Sequence, residues 1–279
     1  MVFKAGILLI SLLVGSLALP LNEEQDNSIF FDNTVVNPSI IGGDVSPLVP
    51  HMVSLSSGSM IRSFFCGASL ISERHVLTAA HCISASLSDG SLSSSIRGKV
   101  GSVSQYLGGS DYSFSQGAIH PDYNSRSIKN DIGYLMTSVP VVLGDNVKPV
   151  ALSFDFVGGD VPTIVNGWGR TVVGGPASLV LRELRPFTVD GEQCVKDVDR
   201  RKQELNRPNT PSVDPEIEIC AYLRANSGMC HGDSGSALVD LRNNKQIGLA
   251  SWVLPCARGA PDMFVRVSAY QSWIQQILN

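Results

Sequence analysis

The feature that most constrains the fold is a succession of short strand-like runs that fills the chain from residue 40 onward. Each run is β-branched or alternates apolar and polar residues, and clusters of Gly, Ser, Pro and Asn separate it from the next. Many short strands broken by turn residues favour an all-β barrel or sandwich over βαβ units. The predicted strands are Met52–Leu55, Ser69–Ala79, Arg97–Val103, Thr163–Gly167, Ala237–Val239, Gln246–Val253 and Met263–Val267.

The last residues of the chain follow a different pattern. Apolar residues between Tyr270 and Leu278 recur at helical spacing. This spacing predicts a C-terminal α-helix over Val267–Leu278, with Ser268 as its N-cap.

Composition excludes several classes of protein. The 279 residues are 43% hydrophobic and 16% charged, with a net charge of −4. Such a chain has enough apolar residues for a packed core and too little charge for disorder. The small acidic excess offers no basic surface for nucleic acid and no polybasic patch for a membrane. Neither partner is therefore expected.

The first eighteen residues have the pattern of a secretory signal. Lys4 supplies a positive charge, Ala5–Val14 is mostly apolar, and small residues occupy Ser16 and Ala18. The competing interpretation is a transmembrane anchor, but the run is shorter than the roughly 20 apolar residues needed to span a bilayer. We therefore expect cleavage after Ala18, removal of residues 1–18 and an extracellular protein.

Six cysteines follow the predicted signal: Cys66, Cys82, Cys194, Cys220, Cys230 and Cys256. An even number in a secreted chain predicts disulfides, but the count alone leaves their pairing open. A metal site is the alternative, and the absence of any Cys-x-x-Cys pair argues against it.

Three short stretches carry residues with catalytic chemistry. His81 precedes a cysteine in Thr78–Cys82, Asp131 precedes an apolar strand, and Ser234 lies in the glycine-rich stretch Cys230–Ser236. Taken singly, each has a structural explanation as a core histidine, a turn aspartate or a tight bend. A serine hydroxyl needs a base to become nucleophilic, and imidazole accepts and returns a proton near neutral pH.

Together and in this order, the motifs resemble those of the chymotrypsin-like serine proteases, the trypsin/chymotrypsin family. The resemblance extends from Ile40 to Asn279 and includes four further motifs: Ile-Ile-Gly-Gly at 40–43, Gly-Trp-Gly at 167–169, Ser251-Trp252 and the Trp273 helix. It implies two packed six-stranded antiparallel β-barrels with a C-terminal α-helix, the active site lying between the barrels. Residues 40–279 would form this protease domain.

The resemblance also implies a role for each motif residue. Ser234 would be the nucleophile, His81 the general base and Asp131 the residue that orients the imidazole. The N–H groups of Gly232 and Ser234 would form the oxyanion hole. Ser236, where the family more often has glycine, is a small departure. The implied disulfides are Cys66–Cys82, Cys194–Cys220 and Cys230–Cys256.

A precursor form is the next implication. Residues 19–39 would be an activation propeptide, and the new amino terminus of Ile40 would pair with Asp233. Ser39 stands before this cut, where the family usually has Arg or Lys, and residues 19–39 contain no basic residue. We therefore expect that trypsin cannot activate the precursor and that another protease must.

Specificity follows from three positions that the resemblance places in the pocket: Gly228 at its base, and Val253 and Asp262 on its walls. The pocket then has an uncharged base at Gly228 and an entrance narrowed by Val253. This combination predicts a preference for apolar residues before the cut. A glycine base with a wall aspartate is similar to the broad-specificity crustacean collagenolytic proteases. Asp262 would then either add activity on basic residues or face away from the substrate.

The extended substrate site would comprise Ser251, Trp252 and Ile128. The stretch between Cys194 and Cys220 is longer than usual for the family. It is predicted to be an inert insertion, and the alternative is an extended surface loop near the substrate cleft. The stretch between Ser84 and Gly101 lacks the pair of carboxylates that would indicate the family's calcium loop. Neither a metal nor an organic cofactor is therefore expected.

The predicted function is that of a secreted serine endopeptidase acting through an acyl-enzyme. Expected partners are protein or peptide substrates, an activating protease and protein inhibitors of proteases, and a monomer is expected. The alternative is a catalytically silent homologue that acts as a binding protein. A digestive role is favoured over a cascade or venom role because the sequence has no recognisable accessory domain.

Overall fold

The computed structural model describes residues 39–88, 91–254 and 256–278. The predicted signal, residues 1–18, and all of the predicted propeptide except Ser39 lie outside these ranges. The first barrel is a closed, antiparallel sheet whose six strands run in the order β2-β3-β4-β9-β8-β7. These strands are β2 (Met52–Ser57), β3 (Ser63–Leu70), β4 (His75–Thr78), β7 (Arg97–Val100), β8 (Ser110–Ile119) and β9 (Gly133–Thr137).

The second barrel is built from an antiparallel sheet in the order β1-β11-β10-β14-β15-β16-β13-β12. Its strands are β1 (Asp44–Val45), β10 (Thr163–Gly167), β11 (Arg182–Leu184), β12 (Phe187–Val189), β13 (Glu218–Tyr222), β14 (Ala237–Asp240), β15 (Lys245–Val253) and β16 (Asp262–Arg266). A bridge between Pro162 and Phe187 joins the start of β10 to β12. Beside it, Thr188 N donates to Val161 O over 3.0 Å.

This bridge means that β11 and β12 act as one strand interrupted before Phe187. Pro186 lies in the interruption and has no N–H to donate to a ladder. Counting the two as one strand, and leaving aside the short edge strand β1, the second barrel has six strands. The predicted fold class, two six-stranded antiparallel barrels, is therefore confirmed.

Helices are few and short. They are α1 (Ser39–Gly42), α2 (Ala80–Ser84), α3 (Gly191–Glu204) and α4 (Gln271–Leu278), with a 3-10 turn at Val267–Tyr270 and a small hairpin of β5 (Leu87–Ser88) and β6 (Ser91–Leu92). The φ/ψ angles of Ile40 and Ile41 within α1 are not helical. The C-terminal helix is confirmed, but Ser268 is not its N-cap, because it lies inside the 3-10 turn that follows Arg266.

The two barrels meet through a shared apolar cluster. Leu77 and Ile132 of the first barrel pack with Leu249 and Val265 of the second, and Ile274 of α4 joins them. All five are at most 3% exposed. Each such side chain contributes roughly 1.5–3 kcal/mol when fully buried, so the cluster fixes the barrels against each other.

The stretch between Cys194 and Cys220 begins in the helix α3 and continues over residues 205–217 as turns and irregular structure. Asp190 caps α3 by accepting hydrogen bonds from the backbone N–H groups of Glu192 and Gln193, at 3.0 and 3.1 Å. The buried residues of the helix are Cys194 and Val198, spaced four apart on one face. A loop is therefore wrong only for the part up to Glu204, where a highly charged run interrupts this narrow apolar face.

A buried hydroxyl yields the first testable prediction. Ser236 is fully buried, and its Oγ has no hydrogen-bond partner among the described residues. Replacing Ser236 with Ala should therefore stabilise the protein by about 1 kcal/mol, because a buried unsatisfied hydroxyl is unfavourable. Calorimetry should record a rise in Tm of about 2–4 °C.

The matched control is a satisfied hydroxyl nearby. Thr78 is also fully buried, but its Oγ1 donates to Gly67 O at 2.9 Å. Thr78→Val should lower the Tm, and equal effects of the two substitutions would contradict the account of Ser236.

Candidate active site

The position of His81 is fixed by the helix α2 that carries it and by contacts with Asp131. The helix begins directly after β4, and a disulfide between Cys66 and Cys82 ties it to β3. The backbone N–H of His81 donates to Asp131 Oδ1 at 2.8 Å, and the ring Nδ1 lies 2.7 Å from Asp131 Oδ2. With Nδ1 donating to the carboxylate, the lone pair of the neutral ring is on Nε2.

Asp131 lies two residues before the start of β9 and is fully buried. Besides His81, the hydroxyl of Ser251 donates to its Oδ2 at 2.6 Å. Burial acts to raise the pKa of Asp131, but the charge of His81 and the hydrogen bonds from His81 and Ser251 outweigh it and lower that pKa. Burial in turn acts to lower the pKa of His81, and Asp131 reverses this and raises it. The pair therefore favours an ionised carboxylate beside an imidazole that readily accepts a proton.

Ser234 lies in a tight turn between two glycines with positive φ, Gly232 at 96° and Gly235 at 82°. A Cβ at Gly235 would lie 2.3 Å from Gly67 O, so only glycine fits there. The carbonyl of Ser234 accepts a hydrogen bond from Gly67 N at 2.8 Å. These contacts hold Ser234 in the same cleft as His81.

Two backbone N–H groups in this turn have no acceptor among the described residues. Among the described residues, the N–H groups of Gly232 and Ser234 donate to no protein acceptor. The N–H of Asp233, between them, donates to Cys230 O at 3.1 Å. The turn thus leaves two N–H groups beside Ser234 without an acceptor in the part of the chain that the structure describes.

Asp233 is a buried carboxyl with only amide donors. It accepts from Gly169 N at 2.8 Å and Cys230 N at 3.0 Å, and burial raises its pKa to about 7. Within the described ranges, no cation pairs with it. Ile40 is fully buried and belongs to the same apolar cluster as Cys230.

The next residue connects the start of the described chain to the predicted pocket. Ile41 and Gly228 exchange two backbone hydrogen bonds, each 3.0 Å long. A Cβ built on Gly228 would lie 3.1 Å from Asp262 Oδ2, so the Asp262 carboxyl rests against the glycine. Met229 N donates to the same oxygen at 2.7 Å, and burial raises the pKa of Asp262 to about 8, with the charge of Asp233 adding to the effect.

The pocket itself is narrow. It lies between residues 229–234 and 250–253 and has a volume of about 10 Å³, enough for about one water molecule. Val253 lines it, and Val253 pairs with Asp262 across β15 and β16. Gly228 and Asp262 are brought together as predicted, but the open part of the pocket does not reach them.

The remaining predicted substrate residues, Ile128 and Trp252, share one apolar cluster with residues of α3. Ile128 has a φ of 49° and Asn130 a φ of 54°, a left-handed conformation that is unfavourable for a β-branched residue such as isoleucine. Lys129 lies between them, with its Nζ 5.3 Å from the centre of the Trp252 ring.

Sequence analysis did not identify the acid that organises this region. Glu218 is 3% exposed and accepts from Lys129 Nζ at 2.5 Å, from Trp252 Nε1 at 2.7 Å and from Asp214 N at 2.7 Å. Burial raises the pKa of Glu218, and the charge of Lys129 opposes that rise. The ion pair joins a loop of the first barrel to β13 of the second.

The predicted disulfide pairing is confirmed, with bonds Cys66–Cys82, Cys194–Cys220 and Cys230–Cys256. Cys66, Cys82 and His81 are the one group in the described part of the chain spaced closely enough to bind a metal ion. Both of those cysteines are oxidised in the first disulfide, which leaves His81 as the sole ligand.

The sequence is similar to those of known proteins. The family profile described as "Trypsin" matches residues 40–274. Chymotrypsin-2 of Vespa crabro is 34% identical over 241 residues, which cover 85% of this chain and 99% of that protein. Trypsin-4 of Rattus norvegicus is 30% identical, covering 94% of each chain, and serine protease SP24D of Anopheles gambiae is 33% identical, covering 86% of this chain and 81% of that protein. The chain belongs to the trypsin family of serine proteases.

None of the helices in the described ranges combines the length and the apolar character needed to cross a bilayer.

The buried ion pair gives a second prediction. Lys129→Met or Glu218→Met alone should destabilise the protein by about 3–5 kcal/mol, because each leaves an uncompensated buried charge. The double variant should be markedly more stable than either single one. Urea unfolding on a Ser234→Ala background, which is expected to prevent self-digestion, measures all three.

An exposed pair serves as the control. Arg62 and Asp111 lie 2.7 Å apart, with both side chains 36% exposed. Arg62→Met should change the unfolding free energy by less than about 1 kcal/mol. Additive effects of the Lys129 and Glu218 substitutions would show that the two side chains are not coupled.

Proposed function

We propose that this protein is a secreted serine endopeptidase that hydrolyses peptide bonds through an acyl-enzyme. The observation that carries the proposal is the contact between His81 and a fully buried Asp131, in a cleft that also contains Ser234. Secretion rests on the sequence of residues 1–18, which precede the described chain.

In the proposed mechanism, Ser234 Oγ attacks the substrate carbonyl while His81 Nε2 takes its proton. The protonated His81 then gives that proton to the leaving amine, which departs and leaves an ester on Ser234. Water attacks the ester with His81 again as base, releasing the acid and restoring the hydroxyl. Asp131 remains ionised throughout, consistent with its lowered pKa, and stabilises the imidazolium.

The proposed oxyanion hole consists of the N–H groups of Gly232 and Ser234. Negative charge develops on the substrate oxygen during attack, and fixed donors stabilise it without reorganisation. Support comes from the lack of any protein acceptor for these two groups among the described residues. No metal or organic cofactor is needed for this chemistry.

The decisive experiment is active-site titration of the processed protein with an organophosphonate. One equivalent should attach to Ser234, and Ser234→Ala should remove labelling and reduce turnover below about 10⁻³ of the parent. Ser236→Ala removes a hydroxyl two residues away and should leave labelling intact. A correctly processed chain that takes no label would instead support the catalytically silent homologue.

Activation is the second element of the proposal. Residues 19–39 would be removed, and the new ammonium of Ile40 would pair with Asp233. Support comes from the burial of Ile40 and from a buried Asp233 carboxyl that has amide donors but no cation within the described ranges. A cation supplied by cleavage would stabilise the ionised form of Asp233 and the turn that carries Ser234.

The precursor variant Ser39→Arg tests this account. Trypsin should release a chain beginning at Ile40 from this variant but not from the parent, which has serine before the bond. Peptidase activity should rise by about 10² or more on cleavage, because ordering an oxyanion donor has an effect of that size. Adding Asp233→Asn should leave cleavage unchanged but prevent the gain, and full activity in that variant would contradict the Ile40–Asp233 pair.

For specificity, we propose a preference for apolar residues before the cut, with minor activity on basic ones. Val253 narrows the pocket, and a carboxyl with a pKa of about 8 is largely uncharged at neutral pH. The present pocket is too small for a leucine side chain, so binding requires an outward shift, which we attribute to cleavage before Ile40.

Asp262 therefore makes specificity depend on pH. Its carboxyl is mostly neutral below about pH 8 and mostly ionised above, so the ionised fraction that attracts a cation increases steeply as the pH approaches 8. The ratio of kcat/KM for a Lys substrate to that for a Leu substrate should rise up to about tenfold per pH unit between about pH 6 and 8. In Asp262→Asn the ratio should be flat. A tenfold preference for Arg in the parent at neutral pH would contradict the apolar assignment.

A further inference from the structure

A second opening adjoins Ser234. This cleft has a volume of about 650 Å³, and Ser234 is the one residue that lines both the cleft and the narrow pocket beside Val253. In the proposed function, the pocket receives the side chain before the cut. The cleft on the other side of Ser234 then receives the residues after the cut, a step that rests on the proposed function.

The cleft has an unusual charge for an acidic protein. Its lining includes one arginine and two histidines but no aspartate or glutamate, although the whole chain has a net charge of −4. The lining residues are Ser57, Phe64, Phe65, Cys66, His81, Cys82, Ala85, Ser86, Arg170, Gly175, Pro176, Ala177, His231, Gly232 and Ser234. No carboxylate within the described ranges forms an ion pair with Arg170.

Arg170 is fixed relative to the nucleophile. Its backbone N–H donates to His231 O at 2.7 Å, and His231 lies in the same turn as Gly232 and Ser234. Burial, together with the nearby charge of Arg170, lowers the pKa of His231 to about 4. At neutral pH the His231 imidazole is therefore uncharged, and Arg170 is the permanent positive charge of the cleft.

We propose that this cleft is a carboxylate-binding subsite in which Arg170 pairs with an acidic side chain on the leaving side of the substrate. The ligand is a peptide with Asp or Glu at the first or second position after the cut. A guanidinium matches a carboxylate with two parallel N–H donors. Phe64, Pro176 and Ala177 line the same space and reduce the access of water to the pair.

The test uses internally quenched peptides with Leu before the cut and either Asp or its neutral isostere Asn at each of the two following positions. The parent should cleave an Asp peptide about three- to tenfold better than its Asn partner in kcat/KM. Salt at about 0.5 M should reduce the preference, since it screens partly exposed charges. In Arg170→Gln the Asp and Asn peptides should be cleaved about equally.

Two controls keep this outcome interpretable. Arg185→Gln removes an exposed arginine outside the cleft, paired with Glu183 at 2.9 Å, and should keep the preference for Asp. A Leu p-nitroanilide has no residue after the cut, so its hydrolysis by Arg170→Gln measures any general damage separately from the loss of the Asp contact. If Arg170→Gln does not fold, Arg170→Lys replaces it and should retain part of the preference, because the charge remains.

The outcomes separate the subsite from the function. Equal cleavage of Asp and Asn peptides by a parent that hydrolyses the anilide would overturn the subsite alone. No hydrolysis of either substrate class by the processed chain would overturn the proposed function. A third pair of peptides ends two residues after the cut as a free acid or an amide. A preference for the acid without one for Asp would overturn the side-chain proposal in favour of a terminal carboxylate.

Discussion

The structure depends most on the way in which one buried carboxylate is satisfied. Asp131 takes hydrogen bonds from the backbone and ring of His81 in the first barrel and from the hydroxyl of Ser251 in the second. An unpaired carboxylate at full burial is unfavourable by several kcal/mol, so the barrels must meet where all three donors reach it. The apolar cluster that includes Leu77 and Leu249 stabilises the contact between the two barrels. The hydrogen bonds to Asp131 fix how the barrels are oriented in that contact.

Among the other buried carboxyls, Glu218, Asp233 and Asp262 fall into two types. Glu218 has a full cation, Lys129, within the chain. Asp233 and Asp262 have backbone N–H donors, and burial raises the pKa of both. Glu218 thus belongs to the permanent framework. In our proposal, Asp233 pairs with the new amino terminus that cleavage creates at Ile40. Asp262 pairs with the basic side chain of a substrate.

Much of the fold and site could be predicted from the sequence, because each key residue lies in a short motif whose neighbours are close in the chain. Part of what failed depends on long-range contacts, and part on strands whose local pattern is weak. Glu218 looks like an ordinary strand residue until Lys129 and Trp252 reach it from elsewhere. β8 was missed because alternate residues face solvent and few are apolar, and Ser69–Ala79 proved to be two strands, with a turn between Leu70 and His75.

The paired hydrogen bonds between Ile41 and Gly228 have a thermodynamic consequence. They link the first residues of the described chain directly to the proposed base of the pocket. Any coupling between two such sites is reciprocal: if burying a free terminus at Ile40 favours an open pocket, filling the pocket favours burial of that terminus by the same factor. A tight pocket ligand would then shift uncut molecules towards the active shape without any bond being broken.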